Sequence, residues 1–288
     1  MSNYNMFMKM RKYICFFLLS VLFSVLAYPI GLVADEIVTY KKTAEKSLTL
    51  HIFYPDGQKP GSGRSAIVHF FGGGWRGGSP VQFYQQCKDL ASKGMVAITA
   101  DYRVMASPGI TPFDCVADAR DAISYIREHA RELGINPEKI GASGGSAGGH
   151  VALCTAVFPD KEKKTSAVPD FLVLYNPVMD TSDKGFGKSS FKGNELDLSP
   201  YHHIRKGLPP TLICHGTADT TVPFSNATAF EKKMKQNGNI CRLFAVEGEQ
   251  HGFFNSVASG KTKSNRNYNL CMKEVYSFLT SLHIGLEE

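Results

Sequence analysis

Apolar residues along this chain fall into short continuous runs separated by stretches with helical spacing. Glu36–Tyr40 and Ser47–Tyr54 alternate apolar and polar positions, with a polar turn between them and Pro55-Asp56-Gly57 behind, which predicts an antiparallel hairpin at a sheet edge. Ser65–Phe71 is apolar almost throughout, the pattern of a central strand covered on both faces, and it ends in three glycines and Trp75. Met95–Asp101, Pro137–Ala142, Phe171–Tyr175, Pro209–Cys214 and Ile240–Val246 read as further strands. Val81–Lys93, Phe113–Leu133, Ala147–Val157, Pro223–Gln236 and Asn265–Leu282 have helical periodicity. This alternation predicts an α/β fold: a mostly parallel sheet with helices on both faces, joined by right-handed crossovers. Residues 178–209 break the rhythm, and the segment is expected to form a small cap or lid inserted over the site. No repeat or linker divides residues 35–288, which read as one domain.

Within this frame, Gly144-Gly-Ser-Ala-Gly148 fits G-x-S-x-G, in which a serine occupies a strained strand-to-helix turn with glycines where backbones pass closely. A serine hydroxyl needs a base to take its proton, and the base needs a carboxylate to hold its tautomer. Two downstream segments, His215-Gly-Thr-Ala-Asp219 and Glu247-Gly-Glu-Gln-His251, each follow a predicted strand. Carboxyl ends of parallel strands line one crevice, so Ser146, Asp219 and His251 are expected on one edge as nucleophile, acid and base. Asp183 is the rival acid, but it lies in the irregular insert. His150, in the first turn after the elbow, is expected to pack or cap, and His202 and His203 precede the acid. Gly73, Gly74 and Ala147 are the candidate backbone donors to a developing oxyanion. Trp75, Phe186 and Phe191 are candidate pocket walls, with a small core inside the insert as the alternative.

Composition changes the picture at the amino terminus. Lys9, Arg11 and Lys12 precede an uncharged run, Tyr13–Ala34, which reads as a secretory signal over residues 1–34, with a retained membrane anchor as the rival. Without these residues the chain carries 29 Lys and Arg against 26 Asp and Glu, so its formal charge drops from +6 to +3. Nothing in that balance suggests nucleic acid. Export implies a secreted or periplasmic protein without stable membrane association. The six cysteines beyond residue 34 are then compatible with disulfides: Cys154, Cys214 and Cys241 read as buried thiols, and any bridge is more plausible among Cys87, Cys115 and Cys271. No spacing suggests a zinc site, and neither a P-loop nor a dinucleotide fingerprint is present, so no metal or cofactor is expected.

Taken together, Phe71-Gly-Gly-Gly-Trp75, Asp101-Tyr-Arg103, Gly144-Gly-Ser-Ala-Gly148, His215-Gly-Thr-Ala-Asp219 and His251-Gly-Phe253 resemble the α/β-hydrolase superfamily, specifically its esterase and lipase branch with an HGGGW-type oxyanion loop. The likeness extends to secreted carboxylesterases of the feruloyl and acetyl-xylan esterase type. It implies an α/β-hydrolase fold, a triad of Ser146, Asp219 and His251, and an oxyanion hole from Gly73, Gly74 and Ala147. The implied substrate is a small-molecule or polysaccharide-linked ester with a short acyl group. A peptidase of the prolyl-oligopeptidase type and a non-catalytic binding protein on the same scaffold are the alternatives. One departure stands out: the histidine that usually opens and orients the glycine loop is Phe71 here, with His69 two residues earlier. Asp101 and Arg103 are expected to pair near that loop or to form a plain surface ion pair.

Overall fold

The computed structural model describes residues 32–286 apart from 58, 60, 62 and 159–164. The leader assigned to residues 1–34 therefore falls outside the described residues over 1–31. Among the described residues the sheet has eight strands: β1 (Glu36–Lys42), β2 (Ser47–Phe53), β3 (Arg64–Phe70), β4 (Val96–Ala100), β5 (Ile135–Gly145), β6 (Phe171–Tyr175), β7 (Thr211–Gly216) and β8 (Cys241–Val246). Their spatial order is β1-β2-β4-β3-β5-β6-β7-β8. The β1–β2 and β2–β4 pairs are antiparallel and every later pair is parallel, so the predicted edge hairpin extends a parallel sheet.

Among the described residues five helices complete the alternation: α1 (Tyr84–Ala91), α2 (Pro112–Glu128), α3 (Ala147–Val157), α4 (Phe224–Gln236) and α5 (Arg266–Ser281). Side chains of a strand alternate between faces. Ala66, Val68 and Phe70 of β3 accordingly join the apolar cluster that includes Ala119 of α2, Val151 of α3 and Phe230 of α4. His69 faces the other way and stacks on Phe83 at 5.0 Å. Tyr268 of α5 donates its hydroxyl to Asp89 of α1 at 2.5 Å, linking two helices. Every residue of α3 is buried, which the run of small residues allows.

Differences from the sequence reading are local. The helix expected from Val81 starts as a 3-10 turn over Pro80–Phe83, with a proline in its first positions, and becomes α-helical at Tyr84. The helix expected to reach Leu133 ends at Glu128 with His129 as its cap, and Gly134 at φ 70 then turns the chain into β5. At its other end Asp114 accepts both the Thr111 N–H (2.9 Å) and hydroxyl (2.7 Å), a cap worth about 1 kcal/mol. All six cysteines among the described residues are free and buried, so the disulfide reading is not supported even though Cys87, Cys115 and Cys271 lie on helices.

Residues 178–209 contain only two 3-10 turns, Lys188–Ser190 and Pro200–His203. Their irregular backbone is tied internally, as in the bond from Tyr201 N–H to the Met179 carbonyl at 2.8 Å. Among the described residues no helix is long and apolar enough to cross a membrane.

Candidate active site

Five strands deliver loops to one edge. β5 ends at Gly145, and Ser146 follows at φ 54 and ψ −122, a conformation that L-residues rarely adopt and that functional turns retain. The flanking glycines make the turn possible. A Cβ on Gly148 would run into the carbonyl oxygens of Phe70 and Phe71, and one on Gly144 into the Gly148 carbonyl. The Ser146 amide is used structurally, donating to the Tyr175 carbonyl at 2.9 Å, which leaves the side chain at the edge.

His251, carried on the loop after β8, lies 2.9 Å from Ser146 Oγ through Nε2 and 2.7 Å from Asp219 Oδ2 through Nδ1. With Nδ1–H donating to the carboxylate, Nε2 presents its lone pair to the serine hydroxyl. Asp219 is enclosed after β7. Its Oδ1 accepts the N–H groups of Thr221 and Val222 at 2.8 and 2.9 Å, and His215 Nε2 lies 3.3 Å from Oδ2. Burial alone would raise this carboxyl, but the bonds from His215, His251 and Val222 outweigh it and hold the acid below the usual carboxylate range. Asp219 is therefore an anion at any pH near neutral.

The glycine loop after β3 faces this group. Gly73 has φ 140, and a Cβ there would strike the Gly77 carbonyl, so the loop needs glycine at that position. Among the described residues, no acceptor is found for the N–H of Gly73, Gly74 or Ala147. Ala147 opens α3, so its free N–H adds the positive end of a helix dipole. A cleft of about 390 Å³ is lined by Gly72, Gly73, Gly74, Ser146, Asn176, Phe186, Thr221, His251 and Lys261, with Gln82, Gly252, Phe254 and Asn255 completing the wall.

Two of the three expected wall residues are elsewhere. Phe186 lines the cleft, but Trp75 and Phe191 are buried behind it. Trp75, at φ 59, turns inward, donating Nε1–H to His150 Nδ1 at 3.2 Å and meeting Phe191 edge-on at 5.4 Å. His150 in turn gives its other nitrogen to the Leu198 carbonyl at 2.7 Å, and burial pulls it down to about 4. It packs, as its position suggested. His202 bonds Ser199, His203 bonds the Leu196 carbonyl, and Asp183 is an exposed partner of Lys188. Asp101 and Arg103 do not pair with each other. Asp101 binds Lys46 at 2.7 Å, and Arg103 grips the buried Asp118 through two nitrogens at 2.8 and 2.9 Å. Phe71 stacks on Tyr102 at 4.1 Å, while Tyr102 Oη donates to the Phe71 carbonyl at 2.6 Å. Among the described residues no group of three or more His, Cys, Asp or Glu is arranged to hold a metal ion.

Sequence reasoning missed Asn176, Gln82 and Asn255. Asn176 sits directly after β6 at φ 35, and its place at a strand's carboxyl end ahead of Pro177 was the available signal. Gln82 and Asn255 carry no local signal.

Comparison with known proteins points to esterases. The chain matches the BD-FAE family over residues 50–191, a stretch that includes the glycine loop and Ser146 but ends before Asp219 and His251. An esterase from Thermogutta terrifontis, solved with propionate bound, is 44% identical, with 90% of this chain and 98% of that one covered and a TM-score of 0.81. The Thermogutta terrifontis esterase 2 phosphoramylated by tabun gives 45% identity, the same two coverages and a TM-score of 0.82. An acetylxylan esterase from Xylanibacter ruminicola is 29% identical over 206 residues, 67% of this chain and 41% of that protein. A probable carboxylic ester hydrolase, LipM, from Mycobacterium tuberculosis is 29% identical over 207 residues, 63% of this chain and 48% of that protein. The chain thus spans about half the length, or less, of these curated relatives.

Proposed function

The chain belongs to the α/β-hydrolase carboxylesterase family, and from that premise we propose that it hydrolyses carboxylic esters through an acyl-enzyme on Ser146. The observation that carries this reading is the unbroken line from Asp219 through His251 to Ser146, at 2.7 and 2.9 Å, opening into a cleft with free backbone donors.

In the proposed reaction His251 Nε2 takes the Ser146 proton as Oγ attacks the ester carbonyl. Asp219 stabilises the imidazolium without taking its proton. Negative charge on the carbonyl oxygen is met by the N–H groups of Gly73, Gly74 and Ala147, which need no reorganisation at that moment. The intermediate collapses, His251 returns its proton to the leaving alkoxide, and water repeats the sequence on the acyl-serine. The phosphoramylated relative supports a covalent nucleophile in an esterase of this kind, and the propionate-bound one supports a short acyl group. A cleft of about 390 Å³ walled by Phe186 and Phe254 is of a size for such groups. We further propose that residues 178–209, through Phe186, cap the acyl side, and that residues 1–34 direct export. An exported esterase of this kind would suit acetyl or feruloyl esters on polysaccharides.

A series of p-nitrophenyl esters of increasing chain length, with acetylated xylan and feruloylated sugars beside it, tests the reading. kcat/KM is expected to be highest for two- to four-carbon acyl groups. Turnover of peptidyl p-nitroanilides with none of these esters would instead identify a peptidase.

A further inference from the structure

Two loops must keep a fixed spacing for the proposed reaction, and they hang from strands that are not neighbours. The glycine loop follows β3, near the middle of the sheet, and His251 follows β8 at its edge. Between them runs a chain of side-chain amides. Gln82 Oε1 accepts the Gly72 N–H at 2.8 Å, and Gln82 Nε2 donates to Asn255 Oδ1 at 3.0 Å. Asn255 Nδ2 donates to the Gly252 carbonyl at 2.7 Å, and Gly252 N–H donates to Asn176 Oδ1 at 3.0 Å. Asn176 Nδ2 then lies 3.4 Å from His251 Nε2.

From this geometry we infer that Gln82 and Asn255 form a positioning bridge that sets the oxyanion loop against the base; the inference rests on the reading of the site given above. The polarity of the bridge is fixed from both ends. Gly72 N–H can only donate, so Gln82 must present its oxygen there and keep its NH₂ for Asn255. The Gly252 carbonyl can only accept, so Asn255 must present its NH₂ there and keep its oxygen for Gln82. The two requirements meet in one allowed bond between residues 173 positions apart. Asn255 is buried, and its own N–H closes the turn on the Gly252 carbonyl at 3.2 Å, so its end of the bridge is stiff. Gln82 sits on the Pro80–Phe83 turn, whose Pro80 carbonyl is tied to Thr99 of β4 at 3.0 Å. A displacement of one loop is thereby passed to the other, and a misplacement of about 1 Å at a reacting group costs on the order of 10²-fold in rate.

The test is a double-mutant cycle on kcat with p-nitrophenyl acetate, using Gln82→Leu, Asn255→Leu and the double variant, with Gln82→Glu as the isosteric change that keeps the acceptor for Gly72 but removes the donor to Asn255. Each Leu variant is expected to lose roughly tenfold to a hundredfold in kcat, with KM within about twofold and an almost unchanged melting temperature. The double variant should be no worse than the poorer single one, and Gln82→Glu, whose carboxylate meets the Asn255 oxygen, should lose about as much as Gln82→Leu. Hydrogen exchange on Gln82→Leu should quicken in both the 72–78 and 250–255 segments. Multiplicative losses, a raised KM at unchanged kcat, or faster exchange in one segment alone would overturn the bridge. Ser146→Ala in the same assay separates the two questions: retained turnover there sinks the reading of the site, whereas loss there with unaffected Gln82→Leu sinks only the bridge.

Discussion

Two layers of the same strands treat polar residues in opposite ways. At the carboxyl edge Ser146, His251 and Asp219 are bonded to one another, and His251 has a partner on each ring nitrogen. A few residues back, His69 of β3 and Ser143 of β5 are register neighbours, fully buried, and neither finds a hydrogen-bond partner among the described residues. Burial pulls His69 down to about 3, so it stays neutral and stacks on Phe83. The difference shows what makes a histidine fit to act as a base. Its position beside the glycine loop does not suffice; it needs an acid behind it, a hydroxyl ahead and an opening to solvent.

The largest expected effect is on the edge. Ser146→Ala and His251→Ala should each lower kcat by on the order of 10⁴ or more, without multiplying when combined, because the residues act as a unit. Asp219→Asn should cost about 10⁴ by favouring the wrong His251 tautomer. Against these, His69→Leu should leave kcat within about twofold, since no bond is lost. Steady-state kinetics on the four variants would break the comparison if His69→Leu matched His251→Ala.

A middle-sized effect belongs to Phe71, which joins the two layers. Phe71→Ala removes the ring on which Tyr102 stacks, loosening the hydroxyl that holds the carbonyl of residue 71 at the start of the glycine loop. Truncation of a buried Phe costs roughly 3 to 5 kcal/mol, and a displaced oxyanion donor up to about 10²-fold in kcat. Melting temperature and kcat measured together separate the parts: a thermal loss with normal kcat at low temperature would confine Phe71 to the core.

The effect with the least reach into kcat is on stability. Folded His69 and His150 stay neutral down to about 3 and about 4, whereas the unfolded chain protonates both near roughly 6.5. The unfolded state therefore binds more protons as pH falls from about 6.5 toward 4, and stability is lost in that window at up to about 1.4 kcal/mol per pH unit for each histidine. Below about 4 Asp219 adds to the loss, since its depressed folded value favours the native state only while the carboxyl is ionised. Urea denaturation at pH 7, 5.5 and 4.5 should show this slope, and His69→Leu should remove about half of it.

How far the sequence carries follows the same division. Continuous apolar runs announce buried strands, and glycines at fixed offsets announce a strained turn, so the sheet and the neighbourhood of Ser146, Asp219 and His251 are legible residue by residue. Direction is harder to read. An aromatic after a glycine loop reads alike whether it walls a cleft or turns inward, and only the conformation of Trp75 at φ 59 sends its indole to His150. Asp101 and Arg103 lie two residues apart, yet their partners, Lys46 and Asp118, come from other elements. The amides of Gln82 and Asn255 meet across 173 positions, a distance over which local pattern carries no information.

The central claim is that Ser146 is the nucleophile of a covalent intermediate. Incubating wild-type protein and Ser146→Ala with an organophosphate, followed by peptide mass spectrometry and residual esterase assay, tests it most directly. The account predicts a single phosphoryl adduct on the Ser146 peptide in step with loss of activity, slower labelling in His251→Ala, a wild-type rate in His69→Leu, and none at that peptide in Ser146→Ala. Ester hydrolysis that continues with Ser146 fully labelled, or that survives in Ser146→Ala, would contradict it.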